Sequence, residues 1–285
     1  MLIGLVAAIS AVISVLGCFG AGGFDGISWL WRIPTVFAGS FLSLGILAFL
    51  FLWLLCELVD MEKPQEKDSK FYRTILYLYI DAIMTILQMR VKAEGLEKMP
   101  KDGRVLLVCN HINDLDPVLL LGYFKKKQLA FISKRENDQK FLVGKMMHKI
   151  MCQPINREND REALKTIIKC VKLLQEDEVS VAVFPEGYTS MDGLLHPFRN
   201  GVFKIAMKTK VPVVVCTVRN TNKVFRNAKK LKPTNVTLRL LDVIPPERYE
   251  GMTTVELGDI VHKLMADDLG PELCLPQKEK TDLNT

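Results

Sequence analysis

Residues 2–24 contain no charged side chain, and neither do residues 33–56. Wound as helices rising about 1.5 Å per residue, both runs are long enough to cross a hydrocarbon core roughly 30 Å thick. Only Asp25 to Arg32 separates them, which predicts an antiparallel helical hairpin that spans a bilayer or dips into one leaflet. The polar stretch 57–70, with Pro64, reads as a linker. Residues 71–90 then predict an amphipathic helix. Its polar stripe is Thr74, Asp81, Thr85 and Gln88, and Phe71, Ile75, Leu76, Tyr79, Ile83 and Ile86 fill much of the rest. Such a helix either lies along a membrane surface or packs on the domain that follows.

Beyond Gly95 the pattern changes to short apolar, β-branched runs: 104–109, 179–184, 211–218 and 236–244. Runs of this kind suit strands buried on both faces. Helical stretches lie between and after them, at 117–124, about 139–150, 160–175, about 202–209 and 255–268. Alternation of this kind predicts an α/β fold, a mainly parallel central sheet flanked by helices. The expected organisation is a membrane-anchoring hairpin over 1–60, a linker and amphipathic helix over 61–90, the sheet domain over 91–272 and a loose tail over 273–285.

Charge divides the chain at the same place. The first 60 residues carry one base and three acids, a net of −2, while the rest carry 37 bases and 29 acids, a net of +8. A basic body held beside a bilayer suits anionic lipid headgroups, so membrane lipids are the expected partners. The bases are scattered without a recognised nucleic-acid motif, so no nucleic-acid partner is expected. No basic stretch precedes the first apolar run, which argues against a cleaved signal peptide. Seven dispersed cysteines, none in a Cys-x-x-Cys pair, read as reduced thiols in a membrane protein whose main domain lies on the cytoplasmic face.

Two strand ends carry candidate chemistry. The run ending at Cys109 leads directly into Asn110-His111-Ile112-Asn113-Asp114-Leu115-Asp116-Pro117. Pro117 suits a first helical position and Asp116 an N-cap. His111 then stands at the carboxyl end of a strand, where open α/β sheets bind ligands. Across a strand–loop–helix corner Asp116 can reach the imidazole, fix its tautomer and make it a general base. The run ending at Phe184 leads into Pro185-Glu186-Gly187-Tyr188-Thr189-Ser190, placing a second carboxylate at the same edge. Other chemistries lack support. The chain has no Gly-x-Ser-x-Gly elbow. His148, His196 and His262 form no metal-ligand spacing. The glycines between Gly17 and Gly26 follow no strand, so they do not form a dinucleotide loop.

Taken together these blocks resemble the glycerolipid acyltransferases, most closely the 1-acyl-glycerol-3-phosphate (lysophosphatidic acid) acyltransferases. Asn110, His111 and Asp116 match that family's Asn-His-x4-Asp block. Pro154-Ile155-Asn156-Arg157 matches its second block, and Phe184, Pro185, Glu186, Gly187 and Ser190 match Phe-Pro-Glu-Gly-Thr-Arg-Ser. Val211 to Val214 match the fourth, and Phe198 to Gly201 the Phe-Lys-x-Gly stretch. Order and spacing agree over about residues 91–218.

The resemblance implies transfer of a fatty acyl group from a thioester of coenzyme A or acyl carrier protein, as co-substrate, to the hydroxyl of lysophosphatidic acid. No metal or bound cofactor is implied. His111 and Asp116 would be catalytic, and Glu186 and Gly187 would hold the acceptor. One departure matters: the family's Thr-Arg is Tyr188-Thr189 here, so a bidentate guanidinium clamp for phosphate is missing. Arg157 is the expected replacement, with Lys134, Arg199 or Lys204 assisting. A different acceptor, glycerol-3-phosphate or another lysolipid, and a non-enzymatic membrane scaffold that keeps the fold remain the alternatives.

Overall fold

The structure is a computed structural model that describes residues 1–21, 26–190 and 192–275. It opens with two helices, α1 (Leu2–Gly20) and α2 (Trp29–Glu57), both long and apolar enough to cross a membrane. They are antiparallel: Arg32 Nη1 donates to the Ala21 carbonyl at 2.7 Å, and a Cβ on Gly17 would lie 3.7 Å from Val36 Cγ1. Large side chains such as Leu5, Leu16, Leu42 and Leu54 face outward. An apolar exterior on so long a hairpin is what a hydrocarbon surround accommodates and water does not. Inside, Ser10, Ser14 and Cys18 form a buried stripe of small residues on α1.

Helix α3 (Lys70–Ile86) settles the two readings of the amphipathic segment in favour of packing. Ile80 is buried in the core of the main body, while Tyr72 and Tyr79 reach the other way and donate to the Leu55 and Ala48 carbonyls of α2. The helix thus stands between the hairpin and the sheet domain. Its fastening is an ion pair, Arg73 to Asp68 at 2.7 Å, with both side chains 3% exposed. Arg73 also donates to the Leu129 and Ile150 carbonyls at 3.0 and 3.1 Å, and Glu178 accepts from the Asp68 amide at 2.6 Å.

The sheet has seven strands: β1 (Met89–Glu94), β2 (Leu106–Cys109), β3 (Leu129–Lys134), β4 (Gln153–Ile155), β5 (Ser180–Val183), β6 (Val213–Arg219) and β7 (Thr234–Ile244). Their order is β1-β7-β6-β2-β5-β3-β4. Five neighbouring pairs are parallel and β6–β7 alone is antiparallel. The carboxyl ends of β2, β3, β4, β5 and β6 therefore share one edge. Helices α4 (Asp116–Tyr123), α5 (Val143–Lys149), α6 (Asp160–Gln175), α7 (Lys204–Thr209), α8 (Val224–Ala228), α9 (Pro246–Tyr249) and α10 (Thr254–Leu269) complete the domain. Leu107, Leu120, Val214 and Leu238 belong to the core on one sheet face, and Leu106, Val181, Val213 and Val261 to that on the other.

The four expected strands are present, and three more join them. Residues predicted to end the amphipathic helix instead turn at Gln88 (φ 51°) and enter β1, whose Met-Arg-Val-Lys alternation has the period of a strand. Strand β3 is a buried apolar run like the others, and β4 is only three residues long. The helix expected near 139–150 is shorter: Arg135–Gln139 forms a separate 3-10 turn, and Leu142 at φ 61° interrupts the backbone just before α5 begins. The closing helix α10 starts on a capping box of Thr253 and Glu256. Residues 273–275, expected to be loose, are tied down: Leu195 N donates to Leu273 O at 2.7 Å and Leu275 N to Leu195 O at 2.9 Å. The remainder of that predicted tail, 276–285, lies outside the described residues.

Breaking the Asp68–Arg73 pair by Arg73→Met should destabilise the protein by about 3–5 kcal/mol, because it strands a buried carboxylate. Chemical denaturation of the sheet domain checks this, and a loss below about 1 kcal/mol would mean the pair is solvated and not a fastening.

Candidate active site

The Asn-His pair is placed by the end of β2. Asn110 is buried, and its side chain behaves like one more rung of the ladder. Its Nδ2 donates to the Val218 carbonyl at 3.0 Å and its Oδ1 accepts from the Val218 amide at 2.8 Å. That locks the end of β2 to β6, and His111 follows it.

Every part of His111 is held. Its amide donates to Glu186 Oε1 at 2.8 Å, and its carbonyl accepts from the Ser190 amide at 2.7 Å. The ring stacks on Phe184 with centroids 4.1 Å apart. Nδ1 lies 2.9 Å from Asp116 Oδ2, and Nε2 lies 2.9 Å from Thr189 Oγ1. Only 13% of the side chain is exposed, so the ring is reachable from the edge yet largely dry.

Asp116 is fully buried and does not cap α4 as expected. The helix begins at Asp116 itself, after Leu115, with no side-chain cap bond. Its carboxylate turns back into the loop, where Oδ2 accepts from the Ile112 and Asn113 amides at 2.7 and 2.8 Å as well as facing His111. Oδ1 accepts from the Thr221 hydroxyl. Loop amides outcompete helix amides here because they close around the carboxylate together with the imidazole. An ionised carboxylate can only accept, so Nδ1 carries the ring proton and Nε2 presents its lone pair. The Thr189 hydroxyl donates to that lone pair.

Glu186 also departs from expectation. Placed on the acceptor by resemblance, it is instead 1% exposed with both oxygens engaged. Oε1 accepts from His111 N, and Oε2 accepts from His196 N at 3.0 Å and lies 2.8 Å from Ser190 Oγ. It staples the β5 turn to the β2 turn. Burial raises its carboxyl above the ordinary 4.5, against the pull of those three donors and of His111.

Gly187 has φ +83°, a conformation open to glycine at little cost, and a Cβ there would lie 2.9 Å from Arg199 Cδ. Arg199 thus lies across the turn, with its amide donating to the Pro185 carbonyl at 2.8 Å. Arg157, two residues past β4, feels it: burial and the Arg199 guanidinium pull Arg157 below its usual range, with Glu136 opposing. Among the described residues neither guanidinium is in an ion pair. Lys134 is half-exposed and paired with Glu136 at 3.3 Å, and Lys204 is exposed at the start of α7. Tyr188, where the family has Thr, donates to or accepts from His196 Nδ1 at 2.6 Å, and His196 Nε2 reaches Asp192 at 2.9 Å.

The roles of Thr189, Thr221 and Phe184 were not legible beforehand. Thr221 is 105 residues from the carboxylate it touches, and no spacing rule links them.

The site thus holds an imidazole with one nitrogen on a buried carboxylate and the other on a hydroxyl, and Arg199 lies across the neighbouring Glu186-Gly187 turn. Comparison with known proteins points to an acyltransferase. The family model described as Acyltransferase matches residues 90–219. The 1-acyl-sn-glycerol-3-phosphate acyltransferase of Cocos nucifera is 26% identical over 261 residues, covering 90% of this chain and 82% of that one. A chloroplastic 1-acyl-sn-glycerol-3-phosphate acyltransferase of Brassica napus is 36% identical over 133 residues, 46% of this chain and 38% of its own length. The crystal structure of the 1-acyl-sn-glycerophosphate acyltransferase from Thermotoga maritima shares the fold, with a TM-score of 0.60 at 22% identity, covering 92% of this chain and 96% of that one. The chain is an enzyme with an acyltransferase domain, and over most of its length it is similar to 1-acyl-sn-glycerol-3-phosphate acyltransferases.

If Glu186 acts by positioning His111, Glu186→Gln should lower kcat about 10–100-fold with little change in the acceptor KM. A rise confined to that KM would return Glu186 to the acceptor. The same variant carries a pH signature. A carboxyl raised by folding contributes stability that is fully present below its unfolded value and lost as pH rises through its folded one. Wild type should therefore lose stability relative to Glu186→Gln as pH rises from about 4.5 through that window, read by denaturation at a series of pH values.

Proposed function

We propose that the protein transfers a fatty acyl group from an acyl thioester, on coenzyme A or acyl carrier protein, to the free hydroxyl of lysophosphatidic acid, forming phosphatidic acid for phospholipid synthesis. The observation that carries this reading is the lone pair of His111 Nε2, aimed at a hydroxyl 2.9 Å away on the edge where Arg157 and Arg199 lie unpaired.

The acceptor hydroxyl takes the place of the Thr189 hydroxyl at Nε2. It loses its proton to Nε2 as its oxygen attacks the thioester carbonyl. Asp116 stabilises the imidazolium that results. The carbon–sulfur bond breaks, and the thiolate leaves and regains the proton from His111. General-base assistance of this kind supplies roughly 10²–10⁴-fold, and alignment of the two substrates supplies more. Arg157 and Arg199 hold the acceptor phosphate in place of the guanidinium the third block lacks, since a planar fork pairs two phosphate oxygens at once. The hairpin keeps the site at the bilayer, with the catalytic domain on the cytoplasmic face. The lipid then need not desorb, a step costing about 0.8 kcal/mol per methylene.

Purified protein incubated with a labelled acyl thioester and a panel of lysolipids should acylate lysophosphatidic acid in preference to neutral or zwitterionic acceptors. Product from glycerol-3-phosphate or an aminolipid alone would overturn the acceptor. His111→Ala should abolish transfer while keeping the fold, and a variant retaining a tenth of wild-type turnover would remove His111 as the base. Arg157→Ala and Arg199→Ala should each raise KM for the phosphate acceptor, not for the thioester.

One distance favours a second route. Thr189 Oγ1 stands to Nε2 as a nucleophile stands to its base. In that route Thr189 would take the acyl group first, releasing the thiol, and the lysolipid would then attack the threonyl ester. Rapid quenching with thioester alone, followed by mass analysis, separates the two. Direct transfer leaves Thr189 unmodified, whereas an acyl mass on it establishes the two-step route.

A further inference from the structure

The connection from β6 to β7 begins on the catalytic carboxylate. Thr221, first residue of the turn Thr221–Lys223, donates to Asp116 Oδ1. Helix α8 follows with Val224 fully buried beneath it. The chain then folds back on itself. The amides of Lys230 and Lys232 donate to the Asn227 carbonyl at 2.9 and 3.0 Å, and Asn227 Nδ2 donates to Thr234 Oγ1 at 3.0 Å. The result is an ordered knob at the active edge of the sheet.

Its surface is densely basic. Between 223 and 232 it presents Lys223, Arg226, Lys229, Lys230 and Lys232, all exposed, with no acid in the segment. Among the described residues none of these five is in an ion pair. Two large apolar side chains stand among the bases, Phe225 at 46% and Leu231 at 82% exposure. Five like charges gathered in ten residues repel one another, and exposed Phe and Leu gain nothing from water. Both costs vanish on an anionic, amphipathic surface.

The hairpin says which surface lies close. The foot of α2 meets the loop beyond β3, at the same sheet edge. Glu57 pairs with Lys145 at 3.0 Å, and Cys56 Sγ lies 4.0 Å from the Leu142 carbonyl. Phe141 and Val143 are exposed there at 62% and 49%. The edge that carries His111 thus has an anchored contact at one end and the basic knob at the other.

We propose that the α8 knob is a second membrane contact, a binding site for anionic phospholipid headgroups. Its bases meet lipid phosphates, and Phe225 and Leu231 enter the boundary between headgroups and acyl chains. It rests on the reading of this enzyme as one that acts on bilayer lipids. Because Thr221 links the knob to Asp116, headgroup contact at α8 holds the mouth of the site against the leaflet that supplies its acceptor.

The test uses the full chain in lipid nanodiscs, of phosphatidylcholine alone or mixed with phosphatidylglycerol. A Leu231→Cys variant carrying an environment-sensitive fluorophore reports the knob without any turnover. The expected result is a blue shift that grows with phosphatidylglycerol and is reversed by salt. Lys229→Ala and Lys230→Ala should each weaken it about fivefold. The same substitutions should lower the rate on a long-chain, membrane-held acceptor and leave that on a short-chain soluble acceptor unchanged. Emission that is identical in both discs, or that shifts with acidic acyl carrier protein and not with lipid, overturns the proposal. Absence of any acyl transfer by wild type would defeat the proposed reaction and leave the fluorescence result standing by itself.

Discussion

A single buried carboxylate organises the edge of the sheet that carries His111. Asp116 has no exposed surface, and an ion so placed is tolerable only when its acceptor positions are filled. The Ile112 and Asn113 amides, His111 Nδ1 and the Thr221 hydroxyl fill them. Each donor comes at a structural cost that settles something else: the two amides bend the loop after β2, the imidazole is fixed in one tautomer, and the hydroxyl draws the β6–β7 connection to the site. The geometry at Nε2 follows from the needs of the charge beneath it.

Glu186 repeats the device one strand away. Two carboxylates sit under one edge, but their donors differ in kind. Asp116 holds the ring of His111, and Glu186 holds its backbone together with the turn that brings Thr189 to Nε2. Between them the histidine has almost no freedom, as the proposed role of a base aimed at one hydroxyl would require. Gly187 completes the turn because only its missing side chain leaves room for Arg199.

Further out, the chain trades exposure for location. The hairpin leaves most of its apolar surface uncovered, and α3 links it to the sheet domain through a buried ion pair on one side and two tyrosine hydroxyls on the other. Reach into the membrane and rigidity at the sheet edge are thereby joined in one body. Six of the seven cysteines are buried, and burial lifts Cys152 to about 11 and Cys170 to about 12, so these thiols serve as packing.

Much of this was legible in local pattern. Uncharged runs of helical length announced the hairpin, continuous β-branched runs announced four central strands, and two polar turns after such runs marked the edge and the His–Asp pair. These features depend on periodicity and on neighbours a few residues apart, which a linear reading retains. Strands β1, β3 and β4 were not among those expected: β1 alternates but follows the helix α3 within three residues, β4 is only three residues long, and β3 is a six-residue buried run with no motif at its end. The use of Asp116 as a loop acceptor, the retreat of Glu186 into a staple and the arrival of Thr221 and Thr189 at the site were decided by tertiary structure alone. They depend on which donors reach a buried charge first, and that competition is between groups as much as 105 residues apart that meet only when the strands are side by side.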